Sequence, residues 1–173
     1  VTWTAGWYAV SGNVTISEPI TVNGEVHLIL TDGCDLTAAK GIVVTDGNSL
    51  TIYAQSENGG TLNATGTTDS SNNASAGIGS STSSDSGAIT IHGGVINATG
   101  GSTGSNGYGG AGIGGGTSKS ANGGNSGTII IYGGTVTANS GAGYATGAGI
   151  GGGANDSNGN GGAGSNITIY GGN

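Results

Sequence analysis

The chain has 173 residues, 42 of them glycine, with no phenylalanine or methionine and only 6% charged residues. That composition excludes a bulky aromatic core and leaves a narrow aliphatic one, with glycine where the backbone turns or approaches closely. Nine acidic residues face two lysines and no arginine, giving a net charge of -7 and excluding the cation clusters that nucleic-acid phosphates require. The same balance disfavours anionic membranes and acidic polysaccharides. Cys34 is the only cysteine, so there is no disulfide framework, and it reads as a small buried residue. No apolar run is long enough for membrane insertion, and no signal peptide opens the chain; Val1 reads as the start of a mature or trimmed protein. Low charge and polar Gly/Ser/Asn/Thr loops suit an extracellular, bacterial surface protein.

Glycine, serine and asparagine at this level also characterise disordered chains. Here, however, short aliphatic triplets alternate with polar residues at period two, the pattern of strands. In chain order, residues 1–24 read as an N-terminal cap and a partial rung. Trp3, Trp7, Tyr8 and Pro19 belong to the cap, while Val14–Ile16 and Ile20–Val22 supply the rung. Residues 25–49 form a short rung, with Val26, Leu28 and Leu30, then Leu36 and Ala38, then Ile42 and Val44 as its three strands.

From residue 50 to residue 173 the sequence reads as three long repeats of about 39 residues and the start of a fourth. Leu50-Thr51-Ile52-Tyr53 recurs as Ile89-Thr90-Ile91-His92, Ile129-Ile130-Ile131-Tyr132 and Ile167-Thr168-Ile169-Tyr170. The last three run directly into Gly-Gly. A second strand follows in each complete repeat, over Thr61–Thr65, Val95–Thr99 and Thr135–Asn139. A third element reads Ala76-Gly77-Ile78-Gly79, Ala111-Gly112-Ile113-Gly114 and Ala148-Gly149-Ile150-Gly151. Alternation puts Leu28, Leu50, Ile89, Ile129 and Ile167 inward, followed by Leu30, Ile52, Ile91, Ile131 and Ile169. The expected fold is all-β, a right-handed single-stranded parallel β-helix of about five three-strand rungs with Gly/Ser/Asn-rich loops. Because Asn173 falls inside a new repeat and no polar cap follows, the reading expects a longer protein and end-to-end self-association through the uncapped C-terminal rung.

The residue after the second inward position points out, which predicts an external column of Thr31, Tyr53, His92, Tyr132 and Tyr170. Sugar rings pack on aromatic faces while phenol and imidazole groups supply hydrogen bonds, so Tyr53, His92, Tyr132 and Tyr170 are the candidate ligand-binding residues. Stacked aromatics also stabilise neighbouring strands without any ligand. The second strands offer an outward grid of Thr61, Asn63, Thr65, Val95, Asn97, Thr99, Thr135, Thr137 and Asn139, a reduced form of the Thr arrays of ice-binding solenoids.

Catalytic groups are not evident. Glycan hydrolysis needs two close carboxylates, and the candidates Asp32, Asp35 and Asp46 lie in turn sequences that account for them. Elimination on uronates needs cationic neutralisation, for which Lys40 and Lys119 are the whole supply. His27 and His92 lie on strands away from any nucleophile motif. Calcium is the one cofactor to weigh, through Asp69, Asp85 and Asp156 with the loop from Asn155 to Asn160, whose spacing matches no established calcium loop. Six Asn-X-Ser/Thr sequons, at Asn13, Asn63, Asn73, Asn97, Asn155 and Asn166, follow from composition.

The stretch from Gly41 to Tyr53, GIVVTDGNSLTIY, together with the Ala-Gly-Ile-Gly-Gly-Gly repeats, resembles the pectate-lyase-like β-helix repeat regions of large surface proteins of anaerobic gut bacteria. The resemblance covers nearly the whole chain. It implies an exported protein whose repeats bind carbohydrate or serve adhesion, with glycan or host-surface polysaccharide as partner, and it transfers no catalytic residue. The leading expectation is a non-catalytic carbohydrate-binding or adhesive module. A structural stalk, a fragment of a polysaccharide lyase or glycoside hydrolase, and an ice-binding solenoid are the alternatives.

Overall fold

The computed structural model describes residues 1–55, 59–105, 107–118, 122–155 and 159–173. Among these there are seventeen β-strands and no helix, hence no helix long and apolar enough to cross a membrane. β1 (Thr2–Val10), β2 (Asn13–Ile16) and the long β3 (Ile20–Leu30) come first. β4 (Asp35–Ala38), β5 (Ile42–Val43) and β6 (Ser49–Ala54) follow through short turns. β7 (Thr61–Thr65), β8 (Ile78–Gly79) and β9 (Ala88–Ile91) come next, then β10 (Val95–Thr99), β11 (Tyr108–Gly109), β12 (Ile113–Gly114) and β13 (Ile129–Ile131). β14 (Thr135–Asn139), β15 (Ala145–Thr146), β16 (Ile150–Gly151) and β17 (Ile167–Ile169) complete the series.

All named strands pair in parallel, and they do so in three main ladders. The first joins β1, β3, β6, β9, β13 and β17. The second joins β2, β4, β7, β10 and β14. The third starts on the first residues of β3 and continues through β5, β8, β12 and β16. Because β3 runs through two ladders, the first and third form one ten-stranded sheet. The sequence expectation counted about five rungs of three strands. Seventeen strands are present because β1 pairs along β3 and because the glycine loops contribute their own pair, β11 with β15.

Side chains alternate about these ladders as period-two geometry requires. Leu50, Ile52, Ile89, Ile91 and Ile129 are fully buried, while Thr51, Thr90 and Ile130 between them are half-buried on the outer side. Leu36, Leu62 and Ile96 stack inside the second ladder, and Ile42, Ile78 and Ile113 inside the third. Each such burial contributes roughly 1.5–3 kcal/mol. Two expectations are corrected here. Val26, not Leu28, pairs with Leu50, and Leu28 pairs with Ile52. A shift of two residues leaves every side chain on its original face, so alternation alone could not detect it. Ile167 and Ile169, expected inside, are exposed, since β17 pairs with β13 on one side and no described strand covers the other.

The glycine-rich loops are ordered by backbone hydrogen bonds. In each Ala-Gly-Ile-Gly stretch the alanine N–H donates to a carbonyl four residues on: Ala76 to Ser80, Ala111 to Gly115 and Ala148 to Gly152. On one side of the third ladder Gly101 N–H donates to Ser75, Gly110 to Gly101 and Gly141 to Gly110. On the other side Gly124 donates to Gly116, Gly153 to Gly124 and Gly162 to Gly153. Such approach leaves no room for a Cβ at most of these glycines, which explains why glycine fills them. Buried hydroxyls complete the packing: Thr117 Oγ1 accepts from Ala74 N–H at 2.6 Å, and Ser80 Oγ accepts from Gly116 N–H at 2.7 Å.

Candidate functional site

Each first-ladder strand from β9 onward ends at an aromatic or imidazole ring and then at Gly-Gly. The second glycine of each pair holds a positive φ, +94° at both Gly94 and Gly134, which swings the chain into the second ladder immediately after the ring. The ring-bearing backbone is tied to the preceding strand, His92 N–H to Ile52 O, Tyr132 N–H to Ile91 O and Tyr170 N–H to Ile131 O, each at 2.8 Å. Register therefore carries the rings into one row.

The row is a face-to-face stack. Ring centroids lie 4.8 Å apart for Tyr53–His92, 4.7 Å for His92–Tyr132 and 5.0 Å for Tyr132–Tyr170, with interplanar angles of 3°, 7° and 8°. These steps match the strand spacing of about 4.8 Å, so each ring sits over the next. The geometry covers the faces of the internal rings and turns their edges, which carry phenol oxygens and imidazole nitrogens, toward solvent. Exposure rises along the row, from half-buried Tyr53 to Tyr132 at 47% and Tyr170 at 69%.

Thr31 does not belong to this row. It lies in the turn after β3, where its Oγ1 donates to Val10 O at 2.7 Å, and the corrected register sets Ile29 opposite Tyr53. Ring contacts instead extend from Tyr53 into the adjacent row, where His27 lies opposite Thr51 and Trp7 opposite His27. Trp7 stacks on His27 at 4.3 Å and 15°, and reaches Tyr53 at 5.4 Å and 27°. Glu25 Oε1 lies 3.3 Å from His27 Nε2. The strand-like alternation of residues 2–10 was the signal available, and it was read as a cap.

Beside the ring row the outer face of the first ladder is low. Thr51, Thr90, Ile130 and Thr168 form the adjacent row in register, and Ser49 and Ala88 start the next. That next row borders a groove of about 500 Å³ along the turns that lead into the ladder, lined by Glu25, Asp46, Asn48, Ser49, Ala88 and Thr128 among others.

The remaining candidates are spent on local structure. Asp35 Oδ1 accepts from Asn63 Nδ2, and Asn63 Oδ1 accepts from Asn97 Nδ2, both at 2.9 Å, a polar chain on the outer face of the second ladder. The Thr/Asn grid is in register there, with Val95 between Thr61 and Thr135. Asp32 lies in the turn after β3, its N–H donating to Gln55 Oε1 at 3.0 Å. Asp46 lies in the turn before β6, its N–H donating to Asp85 O at 3.0 Å. The Asp69 carboxylate accepts from Ser71 N–H, Asn73 N–H and Asn73 Nδ2, and that of Asp85 from Asn125 N–H and Nδ2. Among the described residues no three His, Cys, Asp or Glu side chains gather as metal ligands, while Asp156 and Lys119 lie outside the described residues. Lys40 pairs with Glu18 at 3.1 Å. No family model matches the chain, and neither a curated protein nor a solved structure matches it.

Proposed function

We propose that the chain is a non-catalytic, extracellular carbohydrate-binding or adhesive module of the bacterial surface-protein type. Its three ladders are read as the faces of a right-handed single-stranded parallel β-helix, each rung contributing one strand to each face. The observation that carries the reading is the straight row of hydrogen-bonding ring edges, one per strand, beside a low hydroxyl-bearing face. Sugar hydroxyls are met by such edges and hydroxyls rather than by ring faces, which is a change from stacking on an open platform. Lyase or hydrolase chemistry has less support, since Asp35, Asp69 and Asp85 are each engaged with asparagine. Ice binding has less support because Val95 and the Asn63–Asn97 chain break the Thr grid.

A second reading, a structural spacer, is favoured by the ring stack itself, because near-parallel rings at this spacing brace consecutive strands whether or not a ligand arrives. A broad glycan array separates the two. Wild-type protein is expected to bind, a Tyr53→Phe, Tyr132→Phe, Tyr170→Phe variant to bind more weakly, and the corresponding triple alanine variant not at all. Circular dichroism establishes that each variant is folded. A folded wild-type protein that binds no glycan overturns the proposal in favour of the spacer.

A further inference from the structure

Resting on the carbohydrate-binding reading, we infer that the outer face of the first ladder takes a neutral, extended β-1,4-linked glycan, laid across the strands between the ring row and the groove at Ser49 and Ala88. Three observations converge on that ligand. The first is direction. Ring edges repeat every 4.7–5.0 Å across β6, β9, β13 and β17, and an extended β-1,4-linked chain advances by one sugar over nearly the same step. Helical or branched glycans do not hold that step along a straight line.

The second is charge. The groove is lined by the carboxylates Glu25 and Asp46 together with Asn48, Ser49 and Thr128, and no lining residue is cationic. Uronate or sulfated chains would meet repulsion there, whereas neutral hydroxyls can donate to the carboxylates and exchange hydrogen bonds with the Ser49 and Thr128 hydroxyls, the Asn48 amide being engaged by Gly24 and Thr45. The third is relief. Half-buried Thr51, Thr90 and Ile130 form a floor between the exposed rings and the groove, while Trp7 stacked on His27 stands in the same row and closes the floor at the β3 end. The site therefore spans the four strands from β6 to β17, and about four sugars fill it, one per strand.

Ala88 faces this groove at the start of β9 and is half-buried. Ala88→Ile adds bulk to the outer face of a strand, where a β-branched residue is well tolerated, and obstructs the groove while leaving the rings intact. The test is calorimetric titration of the intact chain with neutral β-1,4 oligosaccharides of two to six sugars. Matched α-1,4 oligomers and oligogalacturonides serve as comparators. Affinity is expected to rise with each sugar to about four and then level, with the comparators at least tenfold weaker and Ala88→Ile tenfold weaker for the tetramer. Binding that is independent of length, that favours the α-linked or uronate series, or that Ala88→Ile leaves unchanged overturns the inference while the carbohydrate-binding reading stands. Absence of binding to every glycan overturns both.

Discussion

Replacing Gly134 by alanine tests whether the turn that follows each ring is held by close backbone packing. Gly134 has φ +94°, and a Cβ built there lies 2.6 Å from Gly94 O. That same oxygen accepts the Thr135 N–H at 2.9 Å, so it also sets the register of β14 on β10. Relieving the overlap needs a displacement of roughly 0.6 Å, which takes the hydrogen bond to the edge of its useful range. The positive φ costs about 1–2 kcal/mol for a residue with a Cβ, and the weakened bond about 1 kcal/mol more. Gly134→Ala should therefore lose about 2–3 kcal/mol in total. Gly47 supplies the control: its φ is +81°, but an added Cβ meets nothing within 4 Å, so Gly47→Ala should show the strain alone. Equilibrium urea unfolding, with the m-value checked for constancy, measures both. Equal losses in the two variants would refute the close packing, and no loss in either would refute the turn geometry as well.

Three further outcomes follow from the contacts. Tyr132→Ala removes stacking on His92 and on Tyr170, expected to cost about 1–3 kcal/mol from two aromatic pairs, while Tyr132→Phe stays within about 0.5 kcal/mol of wild type by urea unfolding. At Asp69 burial opposes ionisation, but hydrogen bonds from Asn73, Ser71 and Thr82 outweigh it and hold the carboxyl below its ordinary 3.8. Its contribution to stability is thus present above that value and lost as pH falls through the lower folded one; a carbon-13 NMR titration should find the midpoint below 3.8 and Asp69→Asn should lose this acid dependence. Burial pushes the Cys34 thiol up against opposing hydrogen bonds with Thr31 and Thr61, so the native state holds its proton and the resulting stability falls as pH rises above 9.0. At pH 8 an aromatic disulfide reagent should leave native Cys34 untouched and modify it fully in urea.

The sequence made legible what depends on neighbours along the chain. Leu50-Thr51-Ile52-Tyr53 and its recurrences announce a strand with a buried side and an aromatic terminus, and Ile52, Ile91 and Ile131 are buried as that pattern requires. It did not make legible what depends on pairing. Leu28 suits Leu50 or Ile52 equally, since an even shift preserves alternation, and only the strand pairing, Val26 with Leu50 and Leu28 with Ile52, decides between them. That ambiguity admitted Thr31 to the ring row, while the expectation of a cap at the N-terminus hid Trp7 and its pairing with His27. Nor did glycine composition reveal loop structure, because Gly101, Gly110 and Gly141 carry no side chains whose periodicity could report that their backbones hydrogen-bond in series.

Under the proposed carbohydrate-binding function, closed ring faces also set the strength that binding can reach. An edge-on phenol or threonine hydroxyl offers one neutral hydrogen bond per sugar, worth about 0.5–1.5 kcal/mol net. Four strands then supply roughly 2–6 kcal/mol before the cost of ordering the glycan, so dissociation constants in the millimolar range are expected for one module. A ring-face platform would add apolar burial at each sugar and bind more tightly. Adhesion of the proposed kind would depend at this strength on repetition: tandem or surface-displayed copies engaging one polysaccharide should gain on the order of 10²–10⁴ in apparent affinity without any new contact. Surface plasmon resonance with the chain at low and high immobilisation density measures that gain. Micromolar binding by a single copy, with no dependence on density, would mean that a ring face opens on binding and that the stack between Tyr53 and Tyr170 is not maintained in the complex.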